Sequence, residues 1–322
     1  MTIISNCTTS ALIDAAASMR GGNLVAFPTE TVYGLGADAT NEKAIARIYD
    51  VKGRPTDHPL IVHISSLTKL DVWAKNIPEY ARKLARSFWP GPMTLILPRT
   101  TLAKNFITGG QDYVGVRVPA HTVALSLLKE FEAQGGHGVA APSANRFGKV
   151  SPTSATHVQE ELSNYLKLTD LILDGGQSVI GIESTIINCT QNFPTILRPG
   201  AVTAPMISNS LDISREIAFV PTNNKVKASG LLESHYSPLA KVYLNGIPKK
   251  GDGYIALASY PTPPGAIRLA SPIDNNEYAR VLYQGLRTGD GKNLERIFVI
   301  LPIGDDIAVA ICDRLKKAAT KN

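Results

Sequence analysis

Cysteine is scarce in this chain: three among 322 residues, Cys7, Cys189 and Cys312. They are odd in number, far apart and never in a CxxC pair. That excludes a disulfide framework and a thiolate zinc site, and it suits a reducing compartment. No apolar run approaches the roughly 18–20 residues that a membrane span needs. The opening MTIISNCTTSALIDAAASMRGG lacks the basic start and continuous apolar core of a signal peptide. A cytoplasmic protein with no membrane partner is expected. The six histidines form no HxH, HExxH or His/Cys grouping, so no metal held by protein ligands is expected. Internal repeats are missing as well.

A basic coat is also lacking, although the formal net charge is +6 and the pI about 9.1. Residues 241–322 carry twelve Lys and Arg against eight Asp and Glu, and residues 1–240 carry twenty-one against nineteen. Lys/Arg pairs in the longer part are therefore local features. The C-terminal Arg314-Leu315-Lys316-Lys317 could touch RNA, but it reads first as a solvated helix end, where cations favour the dipole. Hydrophobic content of 44% and charged content of 19% describe an ordinary globular chain, long enough for one large domain and a small one.

What is present concentrates in Leu24–Ser65. Leu24–Phe27 reads as a buried strand stopping at Pro28. A polar, glycine-bearing turn follows, with Thr29, Thr31, Tyr33, Gly34 and Gly36. Thr40 or Asn41 can cap a helix on which Ala44, Ile45, Ile48 and Val51 recur at helical spacing. It breaks at Lys52-Gly53-Arg54-Pro55. If Lys52 is extended like Arg54, the two cations project to one side. Leu60–Ile64 is the next strand, with His58 before it and His63 inside it. That composition suits an anionic ligand.

Further on, strand and helix alternate. Helices are expected over residues 10–20, from Pro78 to Phe88, over His121–Phe131 and from Thr153 or Ser154 to about Tyr165. Strands are expected at Met93–Leu97, Val114–Val118, Val139–Ala141, Leu171–Leu173, Ser184–Asn188 and Thr195–Leu197. This predicts an α/β domain on a twisted mixed sheet. From Val202 to about Ser237 the periodicity lapses into an irregular connection containing Ser234-His235-Tyr236-Ser237-Pro238. Beyond it, strands at Lys241–Leu244, Tyr254–Ala258 and Ile297–Leu301 and helices at Glu277–Arg287 and Asp306–Lys317 make a small α/β unit without an obvious catalytic cluster.

Five constellations could carry chemistry. Lys52-x-Arg54 with His58 offers a point charge and a planar fork to phosphate, or is merely a surface pair at a helix end. Ser143-x-Asn145 ends a strand, where open sheets hold ligands, or forms a plain Ser or Asx turn. Arg117 lies inside the apolar strand VGVRVP and needs a partner, either a substrate carboxylate or a structural acid. Ile182-Glu183-Ser184-Thr185 leads into a strand, and Leu197-Arg198-Pro199-Gly200 ends one. His235-Tyr236 could fold over a ligand or anchor a loop. Gly34-Leu35-Gly36-Ala37-Asp38-Ala39 satisfies G-x-G-x-x-A, but five residues separate it from Pro28 and the acidic residue expected after the next strand is missing. A dinucleotide-binding oxidoreductase is therefore set aside.

Taken together, PTETVYGLGADA, KGRPTDHPL, WPGPMTLIL, GVRVP, APSAN, IESTI and LRPG resemble the YrdC-type L-threonylcarbamoyl-AMP synthase family over roughly residues 10–200. The linker and the C-terminal unit resemble its long form: a YrdC-like catalytic domain (1–204), a linker or lid (205–239) and a small Rossmann-like α/β domain (240–322). The resemblance implies that L-threonine, bicarbonate or CO2, and ATP give L-threonylcarbamoyl-AMP and diphosphate. Mg²⁺ would be held mainly through the ATP phosphates. The product would feed threonylcarbamoyladenosine synthesis on tRNA, with tRNA and later-step transferase proteins as partners. It implies a catalytic tetrad of Lys52, Arg54, Ser143 and Asn145. Nucleotide contacts would come from Arg54, His58, Ala141, Ser143, Asn145, Ser151, Arg198, His235 and Tyr236, and threonine contacts from Thr31, Tyr33, His63, Arg117 and Ser184. The rival reading is a non-catalytic module that binds tRNA or double-stranded RNA. Hydrogenase-maturation carbamoyltransferases carry a similar domain beside zinc fingers, which this chain lacks.

Overall fold

The computed structural model describes residues 3–214, 217–220, 226–230 and 236–320. In chain order the first part runs β1 (Ile3–Asn6), α1 (Thr9–Arg20), β2 (Val25–Phe27), β3 (Gly34–Asp38), α2 (Glu42–Lys52) and β4 (Ile61–His63). There follow α3 (Leu70–Trp73), α4 (Glu79–Phe88), β5 (Met93–Pro98), α5 (Asn105–Thr108), β6 (Tyr113–Arg117), α6 (Thr122–Ala133) and β7 (Val139–Ala140). Then come α7 (Ala155–Leu162), β8 (Leu171–Asp174), β9 (Thr185–Asn188), β10 (Thr195–Arg198) and α8 (Ala204–Leu211). The last part holds β11 (Lys241–Leu244), β12 (Gly253–Ile255), β13 (Ile267–Ala270), α9 (Asn275–Gly291), β14 (Arg296–Val299) and α10 (Ala308–Ala319).

The first ten strands form one mixed sheet in the order β1-β8-β2-β3-β7-β4-β6-β5-β9-β10. Alternate residues of a strand feed opposite faces: Leu24 and Ala26 join the large core under α2 and α4, while Val25 and Phe27 join the core of α1 and α6. The last four strands form a separate, all-parallel sheet, β11-β14-β12-β13. A third apolar cluster joins the two units, with Val32, Val150 and Ile182 packed among Tyr236, Ile255, Tyr278 and Tyr283.

Besides β1, α3 and α5, which the expectations above do not include, three segments depart from them. Gly34–Asp38, read as a turn, is strand β3, antiparallel to β2. Glycine serves close approach there: a Cβ on Gly36 would lie 2.7 Å from Phe27 Cε1 and 2.9 Å from Val139 Cγ1. The GxGxxA match is therefore a strand and not a phosphate loop. Within the supposedly irregular connection stands α8, capped by Thr203 with Pro205 in its first turn, a position that suits proline. Strand β13 was missed because its four residues are all half-buried and show no alternation.

Candidate active site

Helix α2 is capped by Asn41, whose side chain accepts a hydrogen bond from Ala44 N, and ends where Gly53 turns left-handed at φ 61°. Lys52 is thus its last helical residue, not an extended one, and it does not share a direction with Arg54 by strand alternation. Its Nζ is buried and donates to the carbonyls of Ser143 and Asn145 at 2.5 and 2.6 Å. Burial, then Arg54, holds this ammonium well below the ordinary lysine range. Lys52 therefore anchors the Ser143–Asn145 loop. Arg54 leaves the helix end over the Phe147 ring and donates to Pro59 O and Ser229 Oγ at 3.0 and 3.1 Å. Burial chiefly brings its guanidinium down to about 10, still protonated at neutral pH.

A cavity lies against one face of the large sheet, walled by Thr31, Arg54, Ile61, His63, Arg117, Ala141, Ser143, Glu183, Ser184, Arg198, Ser229, Gly230 and Tyr236. Ile61 and His63 share a face of β4, and Arg117 of β6 pairs with His63 in parallel register, which sets three side chains on the cavity floor. Ligand space is thus over the sheet as well as beyond strand ends. The free volume is about 50 Å³, room for a water or two, with Tyr236 and Gly230 of the connection in its wall. Larger grooves of about 950 and 770 Å³ exist elsewhere, but they hold none of the expected catalytic, nucleotide-contacting or threonine-contacting residues.

Arg117 has its structural acid after all. Its guanidinium donates to Glu30 Oε1 at 2.6 Å, to Thr31 Oγ1 at 3.0 Å and to Gly91 O at 3.3 Å. The second Glu30 oxygen is buried without a partner. His63 is 4% exposed with an unpartnered Nδ1, and burial, then Arg117, lowers its pKa to about 3, so the ring is neutral. Arg198, at the end of β10, grips Ser184 with Nε and Nη2 on its carbonyl (3.1 and 2.9 Å) and Nη2 on its hydroxyl (3.2 Å), while Nη1 reaches Ser229 O at 3.0 Å. Thr94 Oγ1 lies 2.8 Å from Ser184 Oγ.

Most other expected residues among those described stand behind the wall, while Tyr236 is part of it. Asn145 donates to Arg146 O and Lys149 O, leaving a buried, unpartnered Oδ1. Ser151 is spent on Glu183 Oε1 at 2.6 Å. Tyr33 faces Gly176 O at 2.7 Å, and burial raises its pKa. His58 packs edge-on to Phe147, 5.4 Å between ring centres. His235 lies outside the described residues. Tyr236 is buried at φ +61° and stacked on Tyr283 at 5.8 Å.

Sequence reasoning missed Glu30, Thr94 and Ser229 as neighbours of the site. Glu183 was quoted within IEST without a role. Burial alone would raise its pKa, but Arg314, Arg198 and the Ser151 hydroxyl bring it to about 2. Arg314, read as part of a solvated helix end, is 1% exposed and bonded to Glu183 at 2.8 Å.

Comparison with known proteins agrees with this layout. The Sua5/YciO/YrdC family pattern, described as telomere recombination, matches residues 17–200, and that of the threonylcarbamoyl-AMP synthase C-terminal domain matches residues 202–320. Threonylcarbamoyl-AMP synthase of Pyrococcus abyssi is 41% identical over 95% of this chain and 93% of its own length. Its counterpart from Bacillus subtilis is 41% identical over 74% and 68%. The crystal structure of P. abyssi Sua5 complexed with L-threonine superposes with a TM-score of 0.88 at 39% identity, covering 99% of this chain and 98% of that one. The chain belongs to the Sua5/YciO/YrdC family, in the two-domain form that carries the C-terminal domain of threonylcarbamoyl-AMP synthases.

Proposed function

We propose that this protein is an L-threonylcarbamoyl-AMP synthase, a nucleotidyltransferase that joins L-threonine, bicarbonate or CO2, and ATP into L-threonylcarbamoyl-AMP with release of diphosphate. One observation carries the reading. Among the described residues, Lys52, Arg54 and Arg198 are buried cations with no carboxylate at ion-pair distance, each donating only to neutral oxygens. Buried charge without a counter-charge is costly, and an anionic ligand beside Arg54 and Arg198 removes that cost. The relatives' name and the threonine complex of P. abyssi Sua5 support which ligand and which reaction.

The threonine amine, unprotonated, attacks CO2 or bicarbonate to give a carbamate, with a proton passing to water when CO2 is used and water leaving when bicarbonate is used. A carbamate oxygen then attacks the ATP α-phosphorus, and the bond to the β-phosphate oxygen breaks to expel diphosphate. Such transfer depends on alignment and on donors aimed at charge developing on phosphate oxygens. Arg54 and Arg198 supply those donors at the wall, with Ser143 beside them on the loop that Lys52 anchors. Neutral His63 orients threonine and is too weakly basic to take its ammonium proton. Thr31 and Ser184 suit the amino acid's polar groups, and the outer edge of the Arg117–Glu30 pair suits its carboxylate and amine. Among the described residues no group of three acidic, His or Cys side chains could hold a metal. Mg²⁺ would be held mainly through the ATP phosphates and water, where it would offset their charge. A nucleotide pocket usually spans several hundred Å³, so the linker bearing Ser229, Gly230 and Tyr236 must lift to admit ATP and close again to keep water from the anhydride.

The product suits a following step that transfers the threonylcarbamoyl group to tRNA. The RNA-binding alternative fares worse, because Lys52, Arg54 and Arg198 are all less than 10% exposed and a duplex backbone cannot reach them. Equilibrium titration tests the charge argument: ATP and diphosphate should bind the wild type, and Arg198→Gln should weaken both at least tenfold. Equal affinity in the variant would remove Arg198 from the site.

A further inference from the structure

Glu183 stands between the cavity and the small domain. Its Oε1 accepts Ser151 Oγ, and its Oε2 accepts Tyr283 OH at 2.9 Å and Arg314 Nε at 2.8 Å. Tyr283 belongs to α9 and Arg314 to α10. Arg314 also donates to Pro199 O at 2.9 Å and to Asp313, and its guanidinium lies 5.2 Å from the centre of the Tyr236 ring. Glu183 is joined in the chain to Ser184, on which Arg198 rests. One carboxylate thus stands near two buried guanidiniums and is bonded to only one.

A plain domain clamp explains this poorly. The apolar cluster of Val32, Val150, Ile182 and Tyr283 already holds the two units together, and a buried ion pair adds little net stability against apolar packing. Its chemistry points elsewhere. Without Arg314, Glu183 stays buried, and Arg198 is the next cation whose field it feels. A carboxylate turned onto Arg198 would cancel the charge that an anionic ligand needs.

We infer that Arg314, assisted by Tyr283, is a positioning residue supplied by the small domain: by engaging Glu183 it keeps Arg198 free of a carboxylate and available to the ligand's phosphates. The identity of that ligand as ATP rests on the synthase reading, whereas the charge arrangement does not.

The test uses the full chain with Arg314→Met, Glu183→Gln/Arg314→Met and Tyr283→Phe. Steady-state diphosphate release should show the KM for ATP rising about tenfold in Arg314→Met with a smaller change in kcat. Neutralising Glu183 in the same chain should restore the KM to within about threefold of wild type, a rescue that a purely structural role does not provide. A ligand-free crystal structure of Arg314→Met should show the Glu183 carboxylate on Arg198. An unrescued double variant, or Glu183 unmoved in that structure, overturns the inference. Should Arg314→Met fail to fold, Tyr283→Phe carries the test with a KM rise of about threefold, and an unchanged KM counts against the idea. If wild type releases no diphosphate, the synthase reading has failed on its own. The affinity for inorganic pyrophosphate, weakened in Arg314→Met and restored in the double variant, then decides the positioning role.

Discussion

Lys52→Met separates two roles that a buried cation beside an anion site can play. The ammonium donates to Ser143 O and Asn145 O at 2.5 and 2.6 Å from a buried position. Methionine keeps most of the side-chain volume but leaves both carbonyls without that donor. Hydrogen bonds from a charged donor are worth about 1.5–3 kcal/mol each, and relief from burying an ammonium offsets part of their loss. A net destabilisation of about 2–4 kcal/mol is expected, which lowers the melting temperature by about 5–12 °C for a domain of this size. ATP affinity should fall in parallel, because the Ser143–Asn145 loop loses its anchor. Thermal unfolding followed with and without ATP reads both quantities on one sample. An unchanged ligand-free melting temperature together with lost ATP affinity would refute the reasoning, because the ammonium would then be a phosphate ligand rather than a loop anchor.

Acid should find Glu183 next. Its folded pKa of about 2 is depressed from 4.5, so its contribution is full above about pH 4.5 and is lost as pH falls through that range toward 2. The difference amounts to roughly 3 kcal/mol, and Glu183→Gln should flatten the fall in melting temperature between about pH 5 and 2.5. An equally steep fall in the variant would locate acid sensitivity elsewhere. Gly36→Ala should cost about 1–3 kcal/mol through overpacking against Phe27 and Val139. Denaturant unfolding checks it, and a loss below about 0.5 kcal/mol would mean that the β2–β3–β7 contact is looser than described.

Much of this architecture can be read from residue patterns because burial writes them. Val25–Phe27 is a short apolar run stopped by Pro28, Ile61–His63 and Tyr113–Arg117 are short apolar runs that end at polar residues, and the helix of Ala44, Ile45 and Ile48 has a plain cap and a plain glycine stop. Side chains of the cavity come from those same run ends, so Thr31, Arg54, His63, Arg117, Ser143, Ser184 and Arg198 meet as their positions suggest. Strand β3 was hidden because two of its five residues are glycines, used for close packing rather than for turning. The orientation of Lys52 depends on whether α2 includes one more residue, which composition does not decide. Glu30 and Arg314 escaped for a different reason: each is a charge whose partner lies far along the chain, 87 residues away for Glu30 and 131 for Arg314. A lone charge in sequence looks solvated until the fold supplies its opposite.

The most direct test of the central claim measures diphosphate release from Mg-ATP by the purified full chain, with and without L-threonine and bicarbonate, while tracing carbon from labelled bicarbonate into a nucleotide product. Release that requires both co-substrates, together with label in a threonine-containing adenylate, is the expected result. Diphosphate release indifferent to threonine, or no release at all, would contradict the assignment of this site to threonylcarbamoyl-AMP synthesis.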